Sequence, residues 1–477
     1  MKLSTSLKDN ITILEEFLPL QQSFDLITRE LTLFHIASYF IGINGYADDR
    51  VMHKMFSDLQ QEDFSNIQEE NRLEQAILDY IPCAQVVACG NLSELARNLL
   101  SGTILLFFEG VSKGFIIDLR EYPGRSIEQP ENEKVIRGAK DGFVETLLFN
   151  ANLIRRRIRS PQLTFEIMSV GSESQTDVSL AYMRDEINKE YLDFIKQKIK
   201  QLHIASLTMG TKSMEELLFP HRWYHPLPSV FRTERPDVAC SYLLEGYILL
   251  MVDTTPSVLI LPCNIFQFSQ SPEDYYKDPF QGNYIRFYRF MCCIVSLFLL
   301  PVFLLLSSHP ELLPPGITLL PTGELGPVRL FIYVMFAEIA MDLFKYSSSH
   351  SPEGFSGSLS IVGGLLIGEI AVKLQWISME IVFYTAATVL CSLAISSIEF
   401  SEGLRTYRIL LLLLTGFLGI NGFLVGLLLI LLSVITTPGS LGKSYFWPLF
   451  PYNGNALRCL IFRYPTRKEQ PPNIWKH

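Results

Sequence analysis

The stretch Ile409-Leu-Leu-Leu-Leu-Leu-Thr415-Gly-Phe-Leu-Gly419-Ile-Asn-Gly-Phe-Leu-Val-Gly426-Leu-Leu-Leu-Ile430-Leu-Leu-Ser-Val-Ile435 holds 27 residues without one charge. A run of that length and composition predicts a helix that crosses about 30 Å of hydrocarbon with some tilt. Two further runs predict spans: Phe290 to Leu306, preceded by Arg286 and Arg289, and Met379 to Ile398, with Glu380 at its edge. The rest of the chain is of a different kind. Residues 1–280 carry 27 Lys/Arg and 39 Asp/Glu, whereas 281–477 carry 13 and 10. The expected architecture is therefore an α/β N-terminal region of two subdomains over 1–280 and an all-α multi-span membrane domain over 281–440. A basic tail, 441–477, follows. The net charge of −9 offers no basic face for nucleic acid.

Two other segments are ambiguous. Leu330–Tyr346 is apolar but holds Glu338, Asp342 and Lys345, spaced i, i+4 and i+7 on one helical face. Ser358–Val372 is short, glycine-rich and carries Glu369 with no other charge in its flanks. The tail after Thr436 has six Lys/Arg against one Glu, which places it on the cytosolic side. The N-terminus has no apolar signal region, so it is expected there too. Both ends on one side need an even number of crossings. Four satisfies this, with Leu330–Tyr346 as the fourth and Ser358–Val372 re-entrant or interfacial; full crossing by Ser358–Val372 instead is the competing arrangement.

Charges at bilayer depth cost at least about 2.5 kcal/mol each, so they turn towards protein or water. Glu338, Asp342 and Glu369 are accordingly the candidate pore-lining residues. The plainer reading of the first two is an amphipathic surface helix.

In the N-terminal region, Ile104-Leu-Leu-Phe-Phe-Glu109-Gly110 through Gly114-Phe-Ile-Ile-Asp118 predicts a β-hairpin. Leu243-Leu-Glu245-Gly246 with the run to Asp253 resembles it and suggests an internal duplication, matching Glu109-Gly110 to Glu245-Gly246. Helices are expected over Glu133–Arg157 and Ala181–Leu202. The cluster Arg155, Arg156, Arg157 is a candidate contact for a neighbouring subunit or anionic lipid; cations closing a helix C-terminus are the ordinary alternative. No P-loop, dinucleotide fingerprint, nucleophile elbow or zinc-helix motif occurs. No enzyme, cofactor or metal site is expected, and the eight scattered cysteines read as buried free thiols.

Several ordered blocks carry a resemblance. They are Arg125 through Pro161, Thr233-Glu-Arg-Pro-Asp237, Val252-Asp-Thr-Thr-Pro256, Gln270-Ser-Pro-Glu-Asp-Tyr-Tyr276, His309-Pro-Glu-Leu-Leu-Pro314 and Ser360 through Gly368. Together they resemble the GerA family of spore germination proteins. Departures at Leu325–Val328, at His350–Gly357 and at Glu369 set this chain apart from the receptor A subunits of that family. The resemblance implies a multi-pass protein of the spore inner membrane. It also implies assembly as a homo-oligomeric ring, such as a pentamer, that releases ions alongside other germination proteins. A non-conducting scaffold that clusters such proteins is the rival reading.

Overall fold

The computed structural model describes residues 3–67, 69–121, 133, 135, 138–219, 224–312, 326–350, 371–373, 377–437 and 445–462. They fall into two compact units. One comprises Met1–Pro220, Val230–Pro262 and Pro472–His477; the other comprises His221–Ser229 and Cys263–Pro471.

The first unit is built twice from one plan. Its first half runs α1 (Leu7–Phe17), β1 (Leu26–Leu33), β2 (Ile36–Ile43), α2 (Asp49–Leu59), α3 (Glu70–Tyr80), β3 (Val86–Cys89), α4 (Leu92–Leu99), β4 (Ile104–Phe108) and β5 (Gly114–Ile117). The second runs α5 (Leu147–Arg157), β6 (Leu163–Val170), β7 (Thr176–Met183), α6 (Lys189–Lys200), α7 (Gly210–Leu218), β8 (Phe231–Thr233), α8 (Pro236–Leu244), β9 (Ile248–Val252) and β10 (Val258–Leu261). Each half forms a five-stranded sheet, ordered β1-β2-β4-β5-β3 and β6-β7-β9-β10-β8. Every pairing is antiparallel.

Both faces of the first sheet are covered, which explains why β4 is an unbroken apolar run. Leu105 and Phe107 pack with Leu95 and Leu99 of α4. Ile104, Leu106 and Phe108 pack on the opposite face with Met55, Leu59 and Ile77 of α2 and α3.

The predicted hairpin is present as β4–β5, but the duplication runs in another register. Leu99-Leu-Ser-Gly102-Thr-Ile-Leu-Leu-Phe-Phe108 corresponds to Leu243-Leu-Glu-Gly246-Tyr-Ile-Leu-Leu-Met-Val252. Each glycine leaves a helix and enters a central strand, with φ of 101° and 86°. Glu109-Gly110 instead makes the turn after β4. Two helix expectations are also corrected. Of Glu133–Arg157, only Leu147–Arg157 is helical among the described residues. Ala181–Met183 closes strand β7, and the helix starts at Lys189, where the Asn188 side chain accepts from the Tyr191 N–H at 3.1 Å.

A buried ion pair joins the two halves. Arg155 Nε donates to Asp25 Oδ2 at 2.7 Å with both side chains fully buried. The remaining guanidinium nitrogens reach the carbonyls of Ser160 and Leu163 at 3.1 and 3.0 Å. Nearby, Tyr46 OH donates to the Asn152 carbonyl at 2.7 Å, and Asn152 Nδ2 to that of Asn44 at 3.0 Å.

The second unit is helical among its described residues. It contains α9 (Glu273–Tyr276), α10 (Pro279–Ser308), α11 (Pro327–His350), α12 (Met379–Leu393), α13 (Ile398–Thr436) and α14 (Gly454–Ile461). Two of these, α10 and α13, are long and apolar enough to cross a membrane; α12 is apolar but has 15 residues. Their core includes Leu300, Phe303 and Leu304 of α10, Leu330 and Val334 of α11, Ile381 of α12 and Leu412 of α13.

The path of α13 corrects the expectation of one straight crossing over 409–435. Gly419 sits at φ 59°, ψ −134°, outside helical geometry, a conformation open to glycine and strained for other residues. The chain folds back there. Tyr407 OH lies 2.8 Å from Ser433 Oγ, residues that a straight helix would hold about 39 Å apart. The limbs 398–418 and 420–436 therefore run antiparallel. They pack closely through glycine: a Cβ on Gly422 would lie 1.8 Å from the Leu414 carbonyl oxygen. Gly422, Gly426, Ile430 and Val434, one turn apart, form the buried stripe of the second limb.

Candidate functional site

Charged side chains gather at two places among the apolar helices. The first is the base of α10. Arg286 and Arg289, one turn apart, face inward and are buried, while Phe280, Tyr284, Phe287 and Tyr288 are exposed. Arg289 grips Asp274 of α9 with both terminal nitrogens, at 3.1 and 3.0 Å, and donates to the Ser269 carbonyl at 2.9 Å. Arg286 Nε reaches the same carboxylate at 3.3 Å. Two guanidinium groups thus share one buried carboxylate. The two arginines that precede the apolar run Phe290–Leu306 are thus held inside the protein.

The second place joins three helices. Arg408 of α13 donates through Nε to Glu338 Oε1 of α11 at 2.9 Å, and its Nη2 closes on the same oxygen. Its Nη1 donates to the carbonyl and hydroxyl oxygens of Ser296 in α10, at 2.7 and 3.1 Å. Glu338 is 1% exposed, Arg408 2% and Ser296 0%. One turn further along, Arg405 Nη1 meets Asp342 Oδ1 at 3.2 Å, half-exposed. The spacing explains the ladder. Glu338 and Asp342 are i, i+4 on one helix, Arg405 and Arg408 are i, i+3 on a helix running the other way, so the pairs stack in register.

Burial of this kind is demanding. Removing a charge from water costs several kcal/mol, which a partner offsets only with good geometry and further hydrogen bonds. Arg408 meets that condition with contacts from every terminal nitrogen. Glu338 does not, because its Oε2 is buried without a hydrogen-bond partner among the described residues. The junction is therefore held from one side only.

The candidate residues are distributed as follows. Glu338 and Asp342 come together, each matched by an arginine. Glu369 lies outside the described residues, as does the Gly-rich segment around it up to 370. Arg155 does not sit at a surface: its guanidinium is consumed by Asp25, so a subunit contact through it is corrected. Arg157 pairs with Asp141, and Arg156 is exposed. The residues missed were Arg405, Arg408, Ser296 and Asp274. The signal for the arginines was their spacing just before the uncharged run. Among the described residues, no group of three or more His, Cys, Asp or Glu is placed to hold a metal ion.

Residues 14–473 match the family described as the Bacillus/Clostridium GerA spore germination protein. Stage V sporulation protein AF of Bacillus subtilis (strain 168) is 31% identical over 442 residues, 92% of this chain and 89% of that protein. Spore germination protein KA of the same organism is 29% identical, covering 99% of this chain and 88% of its own length. The crystal structure of the N-terminal domain of the A subunit of the Bacillus megaterium spore germinant receptor GerK3 aligns at 25% identity with a TM-score of 0.41. That alignment spans 55% of this chain and 96% of the solved one.

Proposed function

Because the chain belongs to the Bacillus/Clostridium GerA family of spore germination proteins, we propose that it is an integral membrane subunit of a spore germination complex whose copies assemble into an oligomer that conducts monovalent cations. Residues 1–280 form the cytosolic region in this reading, 281–440 the membrane domain and 441–477 a cytosolic tail. Other germination proteins of the spore inner membrane are its partners.

One observation carries the reading: the Glu338–Arg408–Ser296 junction at the meeting of α10, α11 and α13, fully buried yet incompletely satisfied. Ionic groups among lipid-facing helices are expensive and persist where function uses them. Held as described, Arg408 neutralises Glu338 and the helices are locked. Separation of the pairs would release Glu338 and Asp342 to an aqueous path shared by neighbouring copies, where a ring of carboxylates favours cations. Glu369 is assigned to the same ring. Purified full-length protein in liposomes tests this directly. Potassium release that Glu338→Gln with Glu369→Gln reduces is expected; absence of release, or release indifferent to both substitutions, removes the reading.

The scaffold reading draws on the same geometry. Both described carboxylates already have arginine partners, and a neutral ladder of pairs requires no water. It predicts that Glu338→Gln with Arg408→Gln leaves germination intact.

A further inference from the structure

The long helices of the second unit share one set of levels along their axes. Ser296 of α10 and Glu338 of α11 both meet Arg408 on the first limb of α13. Asp342 meets Arg405, and Phe331 packs on Phe417, so α11 runs antiparallel to that limb. Phe268, next to the Ser269 that Arg289 holds, stacks on Phe400 at 5.6 Å, so α10 runs parallel to it. Phe303 against Tyr384 at 4.5 Å, with Ser401 Oγ on the Ser392 carbonyl at 2.9 Å, sets α12 antiparallel too. At the far end a Cβ on Gly419 would lie 3.1 Å from Nε2 of His309, the residue that closes α10.

Two of these levels are marked by side chains. On α10 the outward face changes from Ile294 and Met291 to Tyr288 and Tyr284, and on α11 from Ile339 and Leu343 to Tyr346, all exposed. Tyr288 lies eight positions before Ser296, and Tyr346 eight after Glu338. On antiparallel helices that brings the two tyrosines to one level. From Tyr288 to Ser308 α10 advances 20 residues, about 30 Å, the thickness of a bilayer's hydrocarbon. Tyrosine, an apolar ring with a polar tip, gathers where hydrocarbon gives way to headgroups. The charges fall the same way. Of those on α10, α11, α12 and α13, only Glu338, Asp342, Arg405 and Arg408 lie more than a turn inside both levels, and each is paired within the ladder. Arg329 and Lys345 of α11 fall within a turn of opposite levels.

We infer that the outward faces of α10 and α11 are a lipid-binding surface, with Tyr284, Tyr288 and Tyr346 seated in the headgroup layer and the far boundary at the His309–Gly419 level. The tip of the α13 hairpin then stands at the opposite face of the bilayer. The Glu338–Arg408–Ser296 junction, eight residues in from the tyrosines, sits about 12 Å inside the hydrocarbon edge. This placement rests on the reading of the chain as an integral membrane protein and fixes the depth that reading leaves open.

The test uses the full-length chain, its eight cysteines replaced by serine, in vesicles of phosphatidylethanolamine and phosphatidylglycerol. One introduced cysteine carries a nitrobenzoxadiazole fluorophore, which lipids bearing a nitroxide at the headgroup or near the acyl-chain end can quench. Tyr284→Cys and Tyr346→Cys should lose more fluorescence to the headgroup nitroxide. Phe336→Cys and Leu428→Cys, at mid-depth on α11 and on the second limb of α13, should lose more to the chain-end nitroxide. All four side chains are exposed, so their replacement leaves the packing of the helices intact. Chain-end quenching as strong at Tyr346→Cys as at Phe336→Cys overturns the boundary. Stronger headgroup quenching at Phe336→Cys, the signature of a helix lying flat on the surface, overturns it as well. Lipid quenching at Leu428→Cys with none at Tyr284→Cys and Tyr346→Cys would mean that the tyrosines meet a second copy; it defeats the lipid surface and leaves the membrane reading standing. No lipid quenching at any of the four positions defeats the membrane reading itself, and the placement with it.

Discussion

Tyr407 and Ser433 stand 26 positions apart in the chain and 2.8 Å apart in space. That contact closes a helical hairpin made from the most apolar part of the sequence, with Gly419 at its tip, and Arg405 and Arg408 on its first limb meet the acidic face of α11. Cysteines in place of Tyr407 and Ser433 should cross-link within one chain under mild oxidation. Gly419→Leu, which favours a continuous helix, should abolish the cross-link. A cross-link that survives Gly419→Leu, or none in the parent background, contradicts the fold-back.

The two sheets of the first unit should behave as one body, because Arg155 and Asp25 pair with no exposure to water. Arg155→Met strands a buried carboxylate and should destabilise the unit by about 3–5 kcal/mol. Adding Asp25→Leu should restore most of that loss. Urea unfolding of the full-length protein, followed by exchange at Phe165 and Phe24, measures both changes. Equal stability of the parent and Arg155→Met would refute the joint.

Glu133 gives the same unit a pH dependence. Burial lifts its carboxyl to about 6, against hydrogen bonds from Thr233 Oγ1 and the Glu234 N–H that pull it down. The folded protein binds this proton more tightly than the unfolded chain, so the contribution is full below the ordinary value near 4.5 and fades as pH rises through 6. The swing is about 2 kcal/mol. Protection of the segment at Thr233–Asp237 should fall over that window, and Glu133→Gln should flatten the profile. A profile identical in Glu133→Gln would assign the effect elsewhere.

Breaking the three-helix junction from one side should be worse than removing it. Glu338→Gln leaves Arg408 buried without its counter-charge and should lower thermal stability in detergent, by about 3–5 kcal/mol. Glu338→Gln with Arg408→Gln should recover most of it. If the double substitution is the less stable, the pair is a net stabiliser and not a device held at a cost.

How far the sequence disclosed this arrangement follows from what each signal can carry. Composition separates the acidic region from the apolar one, and two short apolar runs with Gly110 and Gly114 between them expose the β4–β5 hairpin, since both are local properties. Gly419 was illegible because four glycines punctuate residues 416–426, and most serve close packing. Gly419 is the one of the four that takes positive φ, and its neighbour in space is His309, 110 positions back in the chain. The duplicated halves were detected through Glu-Gly strings that happened to agree, whereas the true correspondence, Gly102 with Gly246, differs at the preceding residue. Arg155 looked like surface charge because its partner, Asp25, is 130 positions away. Glu338 and Asp342 are legible by their cost at bilayer depth; Arg405 and Arg408 are not, because their partners lie more than 60 positions away in the chain.

The central claim is that acidic side chains at the α11–α13 ladder face permeating ions when the assembly opens. In a chain whose eight cysteines are replaced by serine, Asp342→Cys can be modified from water by thiol reagents of either charge while potassium flux is recorded in liposomes. The account predicts that a cationic adduct at position 342 suppresses flux and an anionic adduct restores the level of the aspartate. Flux that neither adduct alters, or a thiol that no aqueous reagent reaches in a conducting preparation, would contradict it.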